Sequence, residues 1–221
     1  MTIISHMHPK YADRRLTTGS GRRNGAYFYS KELVENIIPN IKTDRNWVTV
    51  NEYDPYVDLT HSIVFVHNNL HPEHYAWTTK FKDIILVCGI EDTVEKVEKY
   101  HKAIYLPLSV DTKYLERFRC PKTREQAFVG RKSKLLGNFR TTLPENCDII
   151  ANMEREELLA EMAKYRKVYA VGRCAIEAKY LGAEIGAYDE RFPDPSIWKV
   201  LDNSEAVEIL QKKLDEIDRN C

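Results

Sequence analysis

No two of the five cysteines, Cys88, Cys120, Cys147, Cys174 and Cys221, form a C-x-x-C pair, and their number is odd. That spacing argues against a zinc site and against a disulfide framework. A reduced cytoplasm is the expected setting. Long apolar runs are missing too. No stretch approaches the roughly 18 apolar residues of a membrane-spanning helix. The opening MTIISHMHPK has neither the apolar core nor the small-residue cleavage site of a secretory signal. Charge of one sign is also lacking: Lys+Arg and Asp+Glu are both 33, so the formal net charge is zero. The overall basic footprint of a dedicated nucleic-acid binder is therefore absent, although a local basic patch is not excluded. Neither an internal repeat nor a low-complexity tract stands out.

What is present is a chain of 221 residues, long enough for one large or two small domains with their own cores. Short apolar runs alternate with amphipathic stretches. Strands are predicted over 2–7, 46–51, 61–69, 83–89 and 102–110, with helices over 25–41, 71–81 and 90–101. HSIVFVHNN and DIILVCG are near-continuous apolar runs, the pattern of buried parallel strands. A second series follows, with strands over 126–134, 146–152, 166–172 and 183–189 and helices over 153–165, 174–182 and 203–220. Such alternation predicts an α/β fold with parallel sheets. The polar, Pro-containing RFRCPKTREQ (117–126) marks the break. The expected domains are 1–124 and 125–221, two Rossmann-like halves facing a cleft. The last helix is allowed to pack back on the first domain. Ligands of such folds bind beyond the carboxyl ends of the strands.

Several segments carry groups that chemistry needs. YADRRLTTGSGRRNGAYF (11–28) is a Gly- and Arg-rich loop between a strand and a helix. Gly19, Ser20 and Gly21 would let backbone N–H groups approach an anion, and Arg14, Arg15, Arg22 and Arg23 would add charge-assisted bonds to phosphate. The plain alternative is a solvated loop. FVGRKSK (128–134) ends a strand in Gly130 with Arg131, Lys132 and Lys134 behind it, which suits a diphosphate or merely a basic surface turn. VHNNLHPEH (66–74) places His67, Asn68 and Asn69 at the end of a buried strand. His67 is the candidate general base, since imidazole titrates near neutrality. An ordinary helix-entry loop has the same composition. No metal set is evident there.

KVYAVGRCAIEAKYLGAEI (167–185) reads as strand, turn, helix and strand. Arg173, Cys174 and Ala175 open the helix, where unpaired N–H groups and partial positive charge gather. Glu177 sits one turn in. It is either a favourable first-turn residue or a carboxylate aimed at ligand hydroxyls.

Taken in order, IYLPLSVDTKYLERF, AFVGR with its lysines, EELLAEMAKYRKVYAV, CAIEAKYLGAEI and VLDNSEAVEILQKKL resemble successive segments of GT-B-fold glycosyltransferases, the retaining class related to glycogen synthase. The resemblance spans about 104 to 210. It implies a transferase using a nucleotide sugar such as a UDP-sugar, with Arg131, Lys132 and Lys134 on the diphosphate and Glu177 on the ribose. No metal or other cofactor is then required, because Arg and Lys stabilise the departing nucleotide diphosphate. The acceptor would be a glycan, a small molecule or, ranked below these, a DNA base receiving a sugar. Two departures stand out. The family places a second glutamate eight residues earlier, where this chain has Tyr169, and the Gly-rich run is shortened to Gly172-Arg173. A protein that binds the nucleotide sugar without turnover is the alternative.

Overall fold

The computed structural model describes residues 3–5, 25–49, 58–67, 72–130, 143–188 and 194–219. It divides into two compact units: Met1–Pro107 together with Asn203–Cys221, and Leu108–Asp202. Each is α/β and each is built on one parallel sheet.

The first unit carries β1 (Ile3–Ser5), β2 (Asn46–Thr49), β3 (Ser62–Val66), β4 (Ile84–Cys88) and β5 (Lys102–Tyr105), hydrogen-bonded in that order. All neighbours are parallel. β3 and β4 are buried at every residue, as their unbroken apolar runs require when both sheet faces are covered. One face sets Val48, Val64, Val66, Leu86 and Cys88 against Tyr75 and Val97. On β2 and β3, Trp47 stacks on Phe65 at 5.9 Å, and Tyr29 meets Phe65 edge-on at 6.4 Å.

The predicted helix over 25–41 is three pieces. Helix α1 (Gly25–Glu32) widens into a π turn at Leu33–Ile37, then tightens to a 3-10 turn at Ile38–Asn40. Pro39 explains the change: it has no N–H to offer the carbonyl four residues back. The N–H of Ile38 instead reaches Leu33 O, five residues back. The short helix expected over 71–81 is present at Pro72–Lys80 and winds as a 3-10 helix. There the hydroxyls of Thr78 and Thr79 bond the carbonyls of Tyr75 and Ala76, both at 2.7 Å, competing locally with α-helical pairing. Helix α2 spans Glu91–Val97.

At the amino ends of the strands, His61 and Asp83 adopt left-handed backbone with φ 61° and 54°. His61 Nδ1 contacts Asp83 and its Nε2 lies 2.9 Å from Asp44 Oδ1. Carboxylates only accept, so both ring nitrogens carry protons in this arrangement. The bonds to Asp83 and then Asp44 hold the imidazole's pKa above its ordinary value, against burial and the nearby Arg45 charge. Arg45 bridges Asp83 at 2.8 Å and Asp218 at 3.0 Å. A raised folded-state pKa stabilises fully below the unfolded value, near 6.5, and that stabilisation fades as pH climbs through the folded value. The urea midpoint is therefore expected to fall modestly from pH 6 to 9. In His61→Asn, which tolerates the left-handed backbone, that slope should flatten; an unchanged slope would remove His61 as its source.

The second unit opens with α3 (Thr112–Glu116), whose N-cap Asp111 accepts from Tyr114 N–H at 2.8 Å. Its strands are β6 (Arg124–Val129), β7 (Asp148–Ile150), β8 (Tyr165–Tyr169) and β9 (Glu184–Gly186). Their order is β7-β6-β8-β9, all parallel. Helices α4 (Arg155–Met162) and α5 (Arg173–Tyr180) follow β7 and β8. The polar stretch after α3 is tied into this unit: Lys122 Nζ donates to the carbonyls of Ala163 and Leu181, both at 2.8 Å.

The last helix, α6 (Asn203–Arg219), belongs to the first unit. Its Leu210 and Leu214 are buried, and Lys42 N–H donates to Gln211 Oε1 at 2.7 Å. Among the described residues, no helix is long and apolar enough to cross a membrane.

Candidate functional site

The strand order of the second unit reverses at β6. The chain steps from β6 to β7 on one side, then crosses to β8 on the other. In open parallel sheets such a reversal leaves a crevice beyond the strand carboxyl ends, where the outgoing loops part. The first unit runs straight from β1 to β5 and has no reversal among its described strands.

Beyond β8 the chain turns sharply at Gly172, with φ 62° and ψ −136°, a conformation open essentially to glycine. Helix α5 starts at once with Arg173. Helix α4, after β7, likewise starts with Arg155. A cation in a helix's first turn is disfavoured by the macrodipole. Both are held by one carboxylate. Arg155 Nη1 donates to Glu177 Oε2 at 2.9 Å while its Nη2 bonds Oε1. Arg173 Nε donates to Oε1 at 2.6 Å. Glu177 is 0% exposed; the Arg155 and Arg173 side chains are 16% and 8% exposed. Burial pushes the Glu177 carboxyl up, but the charges of Arg173 and Arg155 and their hydrogen bonds outweigh it, holding the group below its usual value. The carboxylate thus stays ionised between two guanidiniums.

The sequence singles out Glu177 and Arg173, which the structure brings together, but not their partner Arg155. The available signal was an arginine opening an otherwise acidic helix start, M-E-R-E-E. Cys174 and Ala175 stand in the first turn of α5, Ala175 buried and its N–H bonded to Gly172 O at 3.0 Å. Gly130 follows β6, and its N–H bonds Ile150 O at 3.3 Å. A Cβ there would lie 2.6 Å from the Phe128 ring.

Tyr169 is a core residue. It packs with Phe128 and Tyr188, and it pairs with Gly186 across β8 and β9. A Cβ at Gly186 would come within 2.5 Å of the Tyr169 ring. The ring thus lies over the glycine of the neighbouring strand.

In the first unit, His67 follows β3 and is half-buried. Its backbone N–H donates to Tyr75 Oη at 2.7 Å, and its ring meets Tyr29 at 5.6 Å. Its Nε2 lies 3.4 Å from Ser30 Oγ. Ser30 is fully buried and its hydroxyl donates to Thr49 O at 3.0 Å. With that single proton committed to Thr49, Ser30 Oγ is the acceptor in its contact with His67 Nε2.

Arg14, Arg15, Gly19, Ser20, Gly21, Arg22, Arg23, Asn68, Asn69, Arg131, Lys132 and Lys134 lie outside the described residues. Among the described residues, no cluster of three or more His, Cys, Asp or Glu side chains is placed to hold a metal ion. No protein-family model, curated protein or solved structure matches the chain. The architecture is a generic Rossmann-like one, two parallel sheets flanked by helices.

Proposed function

We propose that the chain is a nucleotide-sugar-dependent glycosyltransferase whose donor nucleotide binds at the carboxyl edge of the second sheet. The observation that carries this reading is the strand reversal at β6, beside which two helix starts present Arg155 and Arg173. Guanidiniums and helix amino ends together favour a diphosphate. Arg131, Lys132 and Lys134 follow β6 in sequence and supply further positive charge as the nucleotide leaves. His67, at the carboxyl end of β3, is proposed separately as a general base of the first unit.

A thermal-shift panel of UDP-, GDP-, ADP- and TDP-sugars and the bare nucleotides, run beside a hydrolysis assay, tests this. A donor at a hundred times its Kd is expected to stabilise the protein by about 2.7 kcal/mol, with slow release of free sugar. No stabilisation by any of them would sink the reading.

Binding without turnover is the second reading. It is favoured by the core placement of Tyr169, where the related enzymes have a glutamate near the donor sugar. Stabilisation with no product over long incubation would select it.

A further inference from the structure

The carboxyl end of α6 carries charge that its own helix disfavours. Asp215, Glu216 and Asp218 stand near its last turn, where the macrodipole is negative. Asp215 accepts from Gln211 Nε2 at 2.8 Å, and Glu216 lies 3.3 Å from Lys213 Nζ, both partners on α6 itself. Asp218 differs, because its partner comes from the sheet: Arg45, just before β2, donates to it from Nη2 at 3.0 Å. The Arg45 side chain is 4% exposed, and a buried charge has to be paired. Its Nη1 donates to Asp83 Oδ1 at 2.8 Å, so one cation is shared between α6 and the start of β4. Little else holds this end of the helix. None of residues 215–219 is buried, the condition in which a helix end opens locally.

Asp83 has a second cation in His61, which contacts it through Nδ1 and Asp44 through Nε2. Two N–H donors are needed, and only the imidazolium has both. Around His61 stand Asp44 and Arg45 before β2, Asp83 before β4 and, through Arg45, Asp218 of α6. Asp58, earlier on the approach to β3, accepts from Thr60 N–H at 2.9 Å. With His61 charged, these three carboxylates of the cluster (Asp44, Asp83, Asp218) face two cations. Once it is neutral they face Arg45 alone, and either Asp44 or Asp83 has lost its donor. His61 and Asp83 are fixed to the sheet edge: His61 N–H donates to Lys82 O at 3.0 Å and Ser62 N–H to Asp83 O at 3.2 Å. Arg45 is fixed beside them, its Nη1 also reaching Asp83 O at 3.2 Å. Asp218 is half-exposed and has no such tie. Repulsion within the cluster is relieved when it turns to water.

We propose that the Arg45–Asp218 contact is a pH-sensitive latch: residues 215–219 of α6 dock on the amino edge of the first sheet while His61 is protonated and are released when it is neutral. The release is local. Upstream, α6 stays anchored by buried Leu210 and Leu214 and by Gln211, which bonds both the N–H and the carbonyl of Lys42. The latch is independent of the transferase reading.

The test is hydrogen exchange of the full chain from pH 6 to 9 at low and high salt, expressed as protection factors, with the His61 ring titration followed by NMR. In wild type, protection at 215–219 is expected to fall about two- to fivefold as His61 loses its proton, the scale of a partly exposed ion pair. High salt should shrink the step. His61→Asn should abolish the step. Asp218→Asn, which changes helix propensity little, should lower protection at 215–219 already at pH 6 and leave it flat with pH while His61 still titrates. Protection at 215–219 that ignores the His61 titration, or a step that survives in either variant, would overturn the proposal. So would a loss spread evenly over 206–219, since the helix would then leave as a whole. If His61→Asn does not fold, Asp218→Asn decides alone.

Discussion

Glu177→Ala is expected to cost the second unit about 3–5 kcal/mol, the usual penalty for removing one partner from a buried ion pair. The substitution leaves Arg155 and Arg173 facing each other at two helix starts without the carboxylate that joins them. A domain has only about 5–15 kcal/mol to lose, so the second unit should be partly unfolded at 37 °C. Hydrogen exchange at the β6 and β8 amides reads this directly. Glu177 is held below the ordinary carboxylate range. A depressed folded-state pKa gives stability that is fully present above the unfolded value, near 4.3, and is lost as pH falls through the folded value. Wild type should therefore keep β6 and β8 protected at mildly acid pH, where the variant is already open at neutrality. A loss below about 1 kcal/mol would mean that the trio is solvated like a surface pair.

Tyr169→Glu should be equally damaging. It places here the residue carried at this point by the glycosyltransferases that the sequence resembles, so a purely sequence-based change would choose it. The structure gives it no room to act. Removing a buried aromatic costs about 3–5 kcal/mol, and a carboxylate would then have to desolvate beside Phe128, Tyr188 and Gly186. Loss of the cooperative urea transition is expected, with no gain in sugar release. A well-folded variant with higher turnover would show that Tyr169 faces the ligand.

The strands and their parallel sense were legible because burial on two faces leaves a continuous apolar signature, as in Ser62–Val66 and Ile84–Cys88. The helix types were not. Whether residues 72–80 wind as α or 3-10 depends on local hydroxyl-to-carbonyl bonds that hydrophobic periodicity does not encode. At the site, the turn at Gly172 and the helix start behind it were readable from one contiguous segment. Arg155 was not, because its partner lies 22 residues away on another helix. Long-range ion pairs leave no spacing rule. The wrong-signed charge at a helix start was the trace they did leave. Tyr169 was legible as a strand residue, but the place of its ring was not, because it depends on Gly186 opposite it on the neighbouring strand.

The N–H of Val110 bonds Leu201 O at 3.0 Å, and Val110 pairs with Asp202 as a parallel bridge. The two chain ends of the second unit therefore lie side by side, about one strand spacing apart. The second unit is in effect an insertion within the first. Synthesis runs from the amino end, so every residue of the second unit has emerged before α6 does. The first sheet must wait, with the α6 side of its core uncovered, until the inserted unit has been made. The guest can fold before its host is complete, and the host's last helix follows it in the chain. Folding during synthesis would then depend on how quickly residues 108–202 collapse.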